Sequence, residues 1–148
     1  MYTKTIFHER EKLNLHVFEG ESDYIESIQH LFSHFNTKGI KKELSYFSNT
    51  PDKIWFILCS EYISIGFAAL TPRKNRIEFN NLYVVSECRG SGYGGLLIDL
   101  RLDYAKPWKK TLYTVLLNDV LIHAYTTRGF TEYRKTKNCT FMRKECTE

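Results

Sequence analysis

Residues that staple or interrupt small folds are scarce in this chain. Its 148 residues include four cysteines and three prolines. Cys59, Cys88, Cys139 and Cys146 show no C-x-x-C spacing and no histidine partners at finger-like distances. Neither a zinc site nor a dense disulfide framework is therefore expected. No stretch approaches the roughly 18 uninterrupted apolar residues of a membrane span. The N-terminus, Met1-Tyr2-Thr3-Lys4, leads into Glu9-Arg10-Glu11-Lys12 and lacks the apolar segment of a secretory signal. These absences lead us to expect a soluble cytoplasmic protein with reduced thiols. Basic residues are scattered, and the net charge is only +4. Without a dense Lys/Arg block, nucleic acid is not the expected partner. Repeats, low-complexity tracts and linkers are also missing, so residues 1–148 read as one domain.

Aromatic rings are plentiful at 15%, with ten Tyr and ten Phe. That predicts a core or cleft rich in rings, some with polar handles. Hydrophobic content of 43% and charged content of 26% are ordinary for a globular domain.

Periodicity sets an order of elements. Leu13 to Phe18 reads as a strand. Tyr24, Ile25, Ile28, Leu31, Phe32 and Phe35 recur at helical spacing. Thr37-Lys38-Gly39 is expected to break that helix, and Ile40 to Phe47 to form a second. Ile54–Cys59, Tyr62–Leu70 and Ile77–Val85 follow as strands with short joins, hence as an antiparallel meander. A helix from Leu96 stops at Pro107, Thr111–Leu117 is a strand, and Asn118–Thr127 is a helix closed by Gly129. Phe130–Tyr133 and Thr140–Arg143 complete a mixed α/β sheet with helices on its faces.

Between the third meander strand and the Leu96 helix lies Arg89-Gly90-Ser91-Gly92-Tyr93-Gly94-Gly95. Four glycines in six residues exceed what a surface turn requires, because each costs entropy in regular structure. A glycine loop opening a helix presents backbone N–H groups and the positive end of the helix dipole to an anion. Arg89 adds a full charge. A phosphorylated cofactor is expected here. Gly90, Gly92 and Gly95 also spell G-x-G-x-x-G, but Ser86-Glu87-Cys88-Arg89 separate them from the strand. The acidic residue of a dinucleotide site is displaced to Asp119 as well. No Lys-Ser or Lys-Thr follows the glycines, which excludes a P-loop.

The element order and this loop resemble the GCN5-related N-acetyltransferase superfamily. The loop matches its Arg/Gln-x-x-Gly-x-Gly/Ala pattern at Arg89, Gly92 and Gly94. A second signature matches at Asn118, Tyr125 and Gly129-Phe130, and the chain ends in a family-like strand, Phe141-Met142-Arg143-Lys144. The resemblance runs from about Leu13 onward. It implies an acyl-CoA N-acyltransferase-like fold, with acetyl-CoA as cofactor and an amine as acceptor. Backbone groups of Arg89, Gly90, Ser91, Gly92, Tyr93, Gly94 and Gly95 would hold the pyrophosphate. Val84 and Val85 would flank the pantetheine arm, and Asn118 would touch the cofactor, cap its helix, or both.

By the same resemblance, Tyr125 would protonate the leaving sulfur. The alternative for Tyr125 is a core tyrosine. Its replacement by Phe is expected to spare stability if the hydroxyl serves only chemistry. Glu78 stands where many relatives carry a basic glutamate. Alternation permits Glu78 and Asn80 to share one face, but Glu78 could equally be a solvated strand charge.

Leu121, where relatives have alanine, would narrow the pantetheine channel. Cys88 beside Arg89 reads as packed and inert. His30 and His34 share a helix face but lack a third ligand, so no metal is expected. The acceptor is expected to meet residues 33–40 and the basic 134–138 hairpin. It could be a small amine or a protein amine, and a homodimer stays open. A non-catalytic acyl-CoA-binding sensor or partner-binding module is the alternative function.

Overall fold

The computed structural model describes residues 1–44, 47–61 and 63–145. One eight-stranded sheet organises them, in the order β1-β2-β3-β4-β5-β6-β8-β7. Its strands are β1 (Tyr2–His8), β2 (Glu11–Glu19), β3 (Ile54–Cys59), β4 (Ser64–Pro72), β5 (Arg76–Val84), β6 (Thr111–Leu116), β7 (Thr131–Lys135) and β8 (Thr140–Lys144). The helices are α1 (Tyr24–His34), α2 (Thr37–Glu43), α3 (Tyr93–Ala105) and α4 (Asp119–Thr126). All strand pairs are antiparallel except β5–β6.

The sheet separates two apolar layers. Leu97, Ile98 and Ala105 of α3 and Tyr125 of α4 pack with Leu15, Phe56, Leu70, Ile77 and Phe79 on one face. Leu31 and Phe35 after the α1 stripe, with Ile40 of α2, pack with Trp55, Ile57, Phe67 and Ala69 on the other. Strand alternation accounts for this division, since successive residues of β3 feed opposite layers.

The three strands of the meander follow in the expected order, and α4 lies where the pattern placed it. Three elements differ. Strand β1 was not expected, because it lies at the sheet edge and is mostly exposed, with no buried alternation to betray it. It joins β2 through Glu9 and Arg10, both at positive φ (49° and 75°), a two-residue hairpin turn. Helix α2 starts at Thr37, three residues earlier than expected, because the Asn36 side chain accepts from the Gly39 N–H at 3.1 Å. That cap places Gly39 inside the first turn instead of ending a helix. Helix α3 likewise begins at Tyr93, within the glycines, and not at Leu96. Helix α2 also ends at Glu43, with Leu44 as its C-cap, and not at the expected Phe47. Positions 45 and 46 of that expected helix, the expected strand start at Tyr62, and Cys146 lie outside the described residues.

No helix among the described residues is long and apolar enough to cross a membrane.

Candidate functional site

Parallel bonding between β5 and β6 runs only from Arg76–Thr111 to Phe79–Thr114. Past that point β6 stays with β8 as far as Leu116–Thr140, while β5 stays with β4 to Val84–Gly66. The two strands part and open a wedge in the sheet. A bulge in β5 accompanies the parting: Phe67 and Ala69 pair with Tyr83 and Asn80, leaving one extra residue on β5. Asn81 takes φ 55° there. Bulges re-aim the side chains around them.

The glycine loop lies just beyond β5. Gly90 and Gly92 adopt φ 87° and 83°, the left-handed region that glycine enters without strain. Gly92 is the residue before α3, and no side chain caps that helix. Its first-turn N–H groups therefore lack intrahelical acceptors. A Cβ built on Gly90 or Gly94 would meet nothing within 4 Å, so the loop presents open space above free donors. These residues fit a pyrophosphate by donor chemistry and by room. Gly95 differs, because its Cβ would lie 2.5 Å from the Arg128 guanidinium. That glycine serves the approach of α4's trailing turn to α3, where Arg128 bonds Asp99 at 2.7 Å.

The N-terminal hairpin braces the same loop, a contact the sequence did not reveal. His8 Nε2 lies 2.8 Å from the Ser91 carbonyl oxygen. The His8 ring packs 5.3 Å from that of Tyr93. The Tyr93 hydroxyl bonds Glu11, which pushes its pKa up to about 12, with burial adding to the shift. Arg89 is turned back toward the sheet. Its Nε donates to the Val84 carbonyl at 2.8 Å, its Nη2 is 3.5 Å from Glu43, and it lies over the Tyr83 ring. Its charge is thus shared with Glu43 and not held free at the loop mouth. The Val85 N–H already donates to Ile65 at 2.9 Å.

A cleft of about 780 Å³ fills the wedge and continues over the face that carries α1 and α2. Glu78, Asn80, Leu82, Val115, Asn118 and Leu121 are among its walls. Glu78 and Asn80 do share one face of β5, as alternation required. Glu78 accepts from Arg73 Nε at 2.6 Å and has Arg76 at 3.8 Å. Asn118 Oδ1 accepts from the Leu121 N–H at 3.2 Å, so it caps α4 while facing the cleft. The wall after α2 comes from Glu43, Leu44, Phe47, Ser48 and Thr50, not from residues 33–40. From the late hairpin only Cys139 and Phe141 contribute.

Lys53 belongs to this cleft and carried no sequence signal. It is buried at 8% exposure and donates to the Ser48 carbonyl at 2.7 Å. Burial pushes its ammonium down to about 8, with Asp52 and Glu78 opposing the shift.

Tyr125 is not among the cleft walls. It is 1% exposed, and its ring meets Phe130 edge-on at 5.1 Å. Its hydroxyl accepts from Arg101 Nη2 at 2.7 Å. Arg101 is itself fully buried. It also donates to the Ala69 and Leu97 carbonyls and lies 4.6 Å from the Phe79 ring centroid. No carboxylate pairs with it among the described residues. The Tyr125 hydroxyl therefore has a structural partner that its motif did not disclose.

The Cys88 thiol is pushed up by burial and by Glu87 and Glu11, which suits an inert cysteine. His30 packs between His34 (4.2 Å) and His16 of β2 (5.2 Å). Among the described residues no cluster could hold a metal.

The wedge and anion loop can be compared with known folds. The chain resembles the Escherichia coli ribosomal-protein-S18-alanine N-acetyltransferase at 16% identity and TM-score 0.62, over 90% of this chain and 95% of that one. It resembles the Campylobacter jejuni N-acetyltransferase PseH at 22% identity and TM-score 0.58, over 91% and 99%. It also resembles the Thermoplasma acidophilum PaiA N-acetyltransferase, solved in complex with coenzyme A, at 14% identity and TM-score 0.60, over 88% and 98%. At such identities the likeness shows the fold. No curated protein matches the sequence. The model described as "Acetyltransferase (GNAT) family" matches residues 21–130, which contain the glycine loop, the wedge and α4. On that match the chain belongs to the acetyltransferase (GNAT) family.

Proposed function

We propose that this protein transfers an acetyl group from acetyl-CoA to a primary amine within a direct ternary complex. One observation carries the reading: an open glycine loop at the start of α3 stands beside a wedge in the sheet that leads into a side-chain-lined cleft. The loop suits the phosphates, the wedge suits an extended thioester arm, and the cleft leaves room for an acceptor.

Acetyl-CoA supplies an activated acyl carbon when bound. The chain's own residues hold the diphosphate through N–H groups of Gly90 to Gly95, orient the acceptor, and manage two protons. A free amine with pKa near 10.4 is neutral in roughly one molecule in a thousand at neutral pH. Attack forms the new C–N bond and breaks the C–S bond. The amine's proton must leave, and the sulfur must gain one.

Glu78 on the cleft floor is our proposed proton acceptor, directly or through water. It is the wall carboxylate nearest the closed end of the wedge, where β5 and β6 still pair. Its bond to Arg73 Nε fixes its direction. Tyr125 is our proposed donor to the sulfur. It keeps the family's motif position, and its hydroxyl hydrogen remains available because the oxygen is the accepting atom toward Arg101. The Asn118 side chain and the narrowing Leu121 would align the arm between them. We place this chemistry in the cytoplasm, where Cys59, Cys88 and Cys139 stay free.

A second reading draws on two observations. Tyr125 is withdrawn behind the cleft wall, and Glu78 is paired with arginine. Both suit an acyl-CoA-binding module without catalysis. Thermal shift with acetyl-CoA, followed by release of free CoA thiol in the presence of amines, separates the two. Stabilisation with turnover supports the enzyme. Stabilisation without turnover supports the module. Stabilisation by NAD alone overturns both.

A further inference from the structure

We infer that the acceptor is a primary monoamine with an apolar body, and that polyamines and polycationic sugars are disfavoured. This rests on the proposed transferase reading and deepens it by naming the acceptor class.

Charge comes first. The cleft walls carry two carboxylates, Glu43 and Glu78, and two cations, Lys53 and Arg73. Neither carboxylate is free. Glu43 accepts from the Tyr83 hydroxyl at 2.8 Å and faces Arg89 at 3.5 Å. Glu78 is held by Arg73 at 2.6 Å, with Arg76 at 3.8 Å. Asp52, just outside the cleft, is also bound to Arg73, at 2.9 Å. The residues 45 and 46 that lie between described wall residues are serine and tyrosine, so they add no charge. An acceptor's reacting amine enters as a neutral nucleophile. A second ammonium on the same molecule would lose its hydration without gaining an unpaired carboxylate. Burying a charge without a counter-charge is strongly unfavourable.

Shape and surface come second. Around the polar floor stand Leu44, Phe47, Val115, Leu117 and Phe141. Val115 and Leu117 are substantially exposed, at 47% and 37%. An apolar acceptor body covers such residues and gains by removing their surface from water. A sugar would set hydroxyls against these apolar side chains, and the polar floor, where Asn80 Oδ1 has no hydrogen-bond partner among the described residues, could satisfy only part of them. The one wall cation that burial weakens, Lys53, is committed to Ser48, so it does not create a demand for a second anion on the acceptor.

A matched series tests this. Ethylamine, butylamine and hexylamine differ only in apolar length. Hexylamine and its terminal diamine differ only in a second charge. We expect kcat/KM to rise up to about fourfold per added methylene until the cleft is filled. Hexylamine should exceed the diamine by about tenfold or more, the cost of one uncompensated charge even in a partly wet site. Arg73→Met should leave Glu78 with Arg76 alone and Asp52 without its arginine, and move the hexylamine-to-diamine ratio toward the diamine by about tenfold. Arg73→Gln should do the same, and cofactor thermal shift confirms that each variant is folded. A diamine, spermidine or an aminoglycoside preferred by the unaltered protein would overturn the inference while leaving the transferase reading intact. A flat response to chain length would overturn it too. Failure of every amine to release CoA would instead overturn the transferase reading on which it rests.

Discussion

Replacing Tyr125 by phenylalanine removes one oxygen and, with it, a partner of the most deeply buried cation in the fold. Arg101 is fully buried. Of its three hydrogen bonds, the one to Tyr125 is the shortest, 2.7 Å against 3.0 and 3.2 Å. A hydrogen bond to a charged group contributes about 1.5–3 kcal/mol, and an orphaned buried donor incurs the same scale of loss. In a domain of this size each kcal/mol lowers Tm by about 2–4 °C. Tyr125→Phe should therefore melt roughly 3–12 °C lower, although the ring and its Phe130 contact survive. This reverses the expectation drawn from the motif, that the change would spare stability.

Thermal and urea melts of Tyr125→Phe, Arg101→Met and the double variant make the assay. The two losses should be strongly non-additive, since Arg101→Met removes the donor that Tyr125→Phe would orphan. An unchanged Tm for Tyr125→Phe, or two losses that simply add, would refute the buried pair. Kinetics on the same variant, below its melting range, then report the chemistry separately. A kcat loss of about 10²–10⁴-fold with retained acetyl-CoA affinity marks Tyr125 as the acid. A stability loss with full kcat leaves it a core residue.

Other perturbations separate binding, chemistry and folding. Gly94→Val should abolish the acetyl-CoA thermal shift yet keep Tm close to that of the unaltered protein, because its Cβ meets nothing within 4 Å. Gly92→Val should lose both, since φ is 83° and His8 lies 3.3 Å from the new Cβ. Equal Tm values for the two would dispose of this distinction. Glu78→Gln should reduce turnover by about 10²–10⁴-fold, most at low pH, where little acceptor is neutral. A defect equal at every pH would remove Glu78 from the proton-accepting role. His8→Ala should weaken acetyl-CoA but not acetyl-pantetheine, which lacks the diphosphate, because His8 braces the Ser91 carbonyl; equal weakening of both donors would count against it.

His30 is expected to contribute to acid sensitivity, alongside His16, whose pKa burial also lowers. The His30 pKa falls from 6.5 to about 4 through burial and the neighbouring His34 and His16. The folded value lies below the unfolded one, so stability is intact above about 6.5 and is lost as pH falls toward 4. Tm plotted against pH should drop in that window, and less steeply in His30→Phe, where His16 alone retains a lowered value. Parallel curves would exclude this cause.

Local chemistry made much of the fold and part of the site readable. Continuous apolar runs marked β3 and β4, whose residues of either parity feed the two buried layers, and alternation marked β5, which buries one face. The glycine loop was legible because left-handed turns at Gly90 and Gly92 require that residue type. Asn118 announced the start of α4 through its cap, and the period of two put Glu78 and Asn80 on one cleft wall. Each of these signals needs only neighbours within a few residues.

The remainder depends on partners distant in the chain. Nothing near Lys53 foretells burial: it donates to the nearby Ser48 carbonyl, which also accepts from Asn81 of β5, 33 positions on from Ser48. Arg101 looks like a solvated helix residue until α3, β4 and α4 close around it. His8 and Ser91 are 83 positions apart, and β1 lacks a buried face that could give it a pattern. The sequence by itself determined the family, the order of the elements after β1 and the anion loop, since propensity, capping and glycine chemistry act locally. Only the tertiary structure decided which charges are buried, which carboxylates are neutralised and where the Tyr125 hydroxyl is held, because desolvation and ion pairing depend on what the rest of the chain brings near.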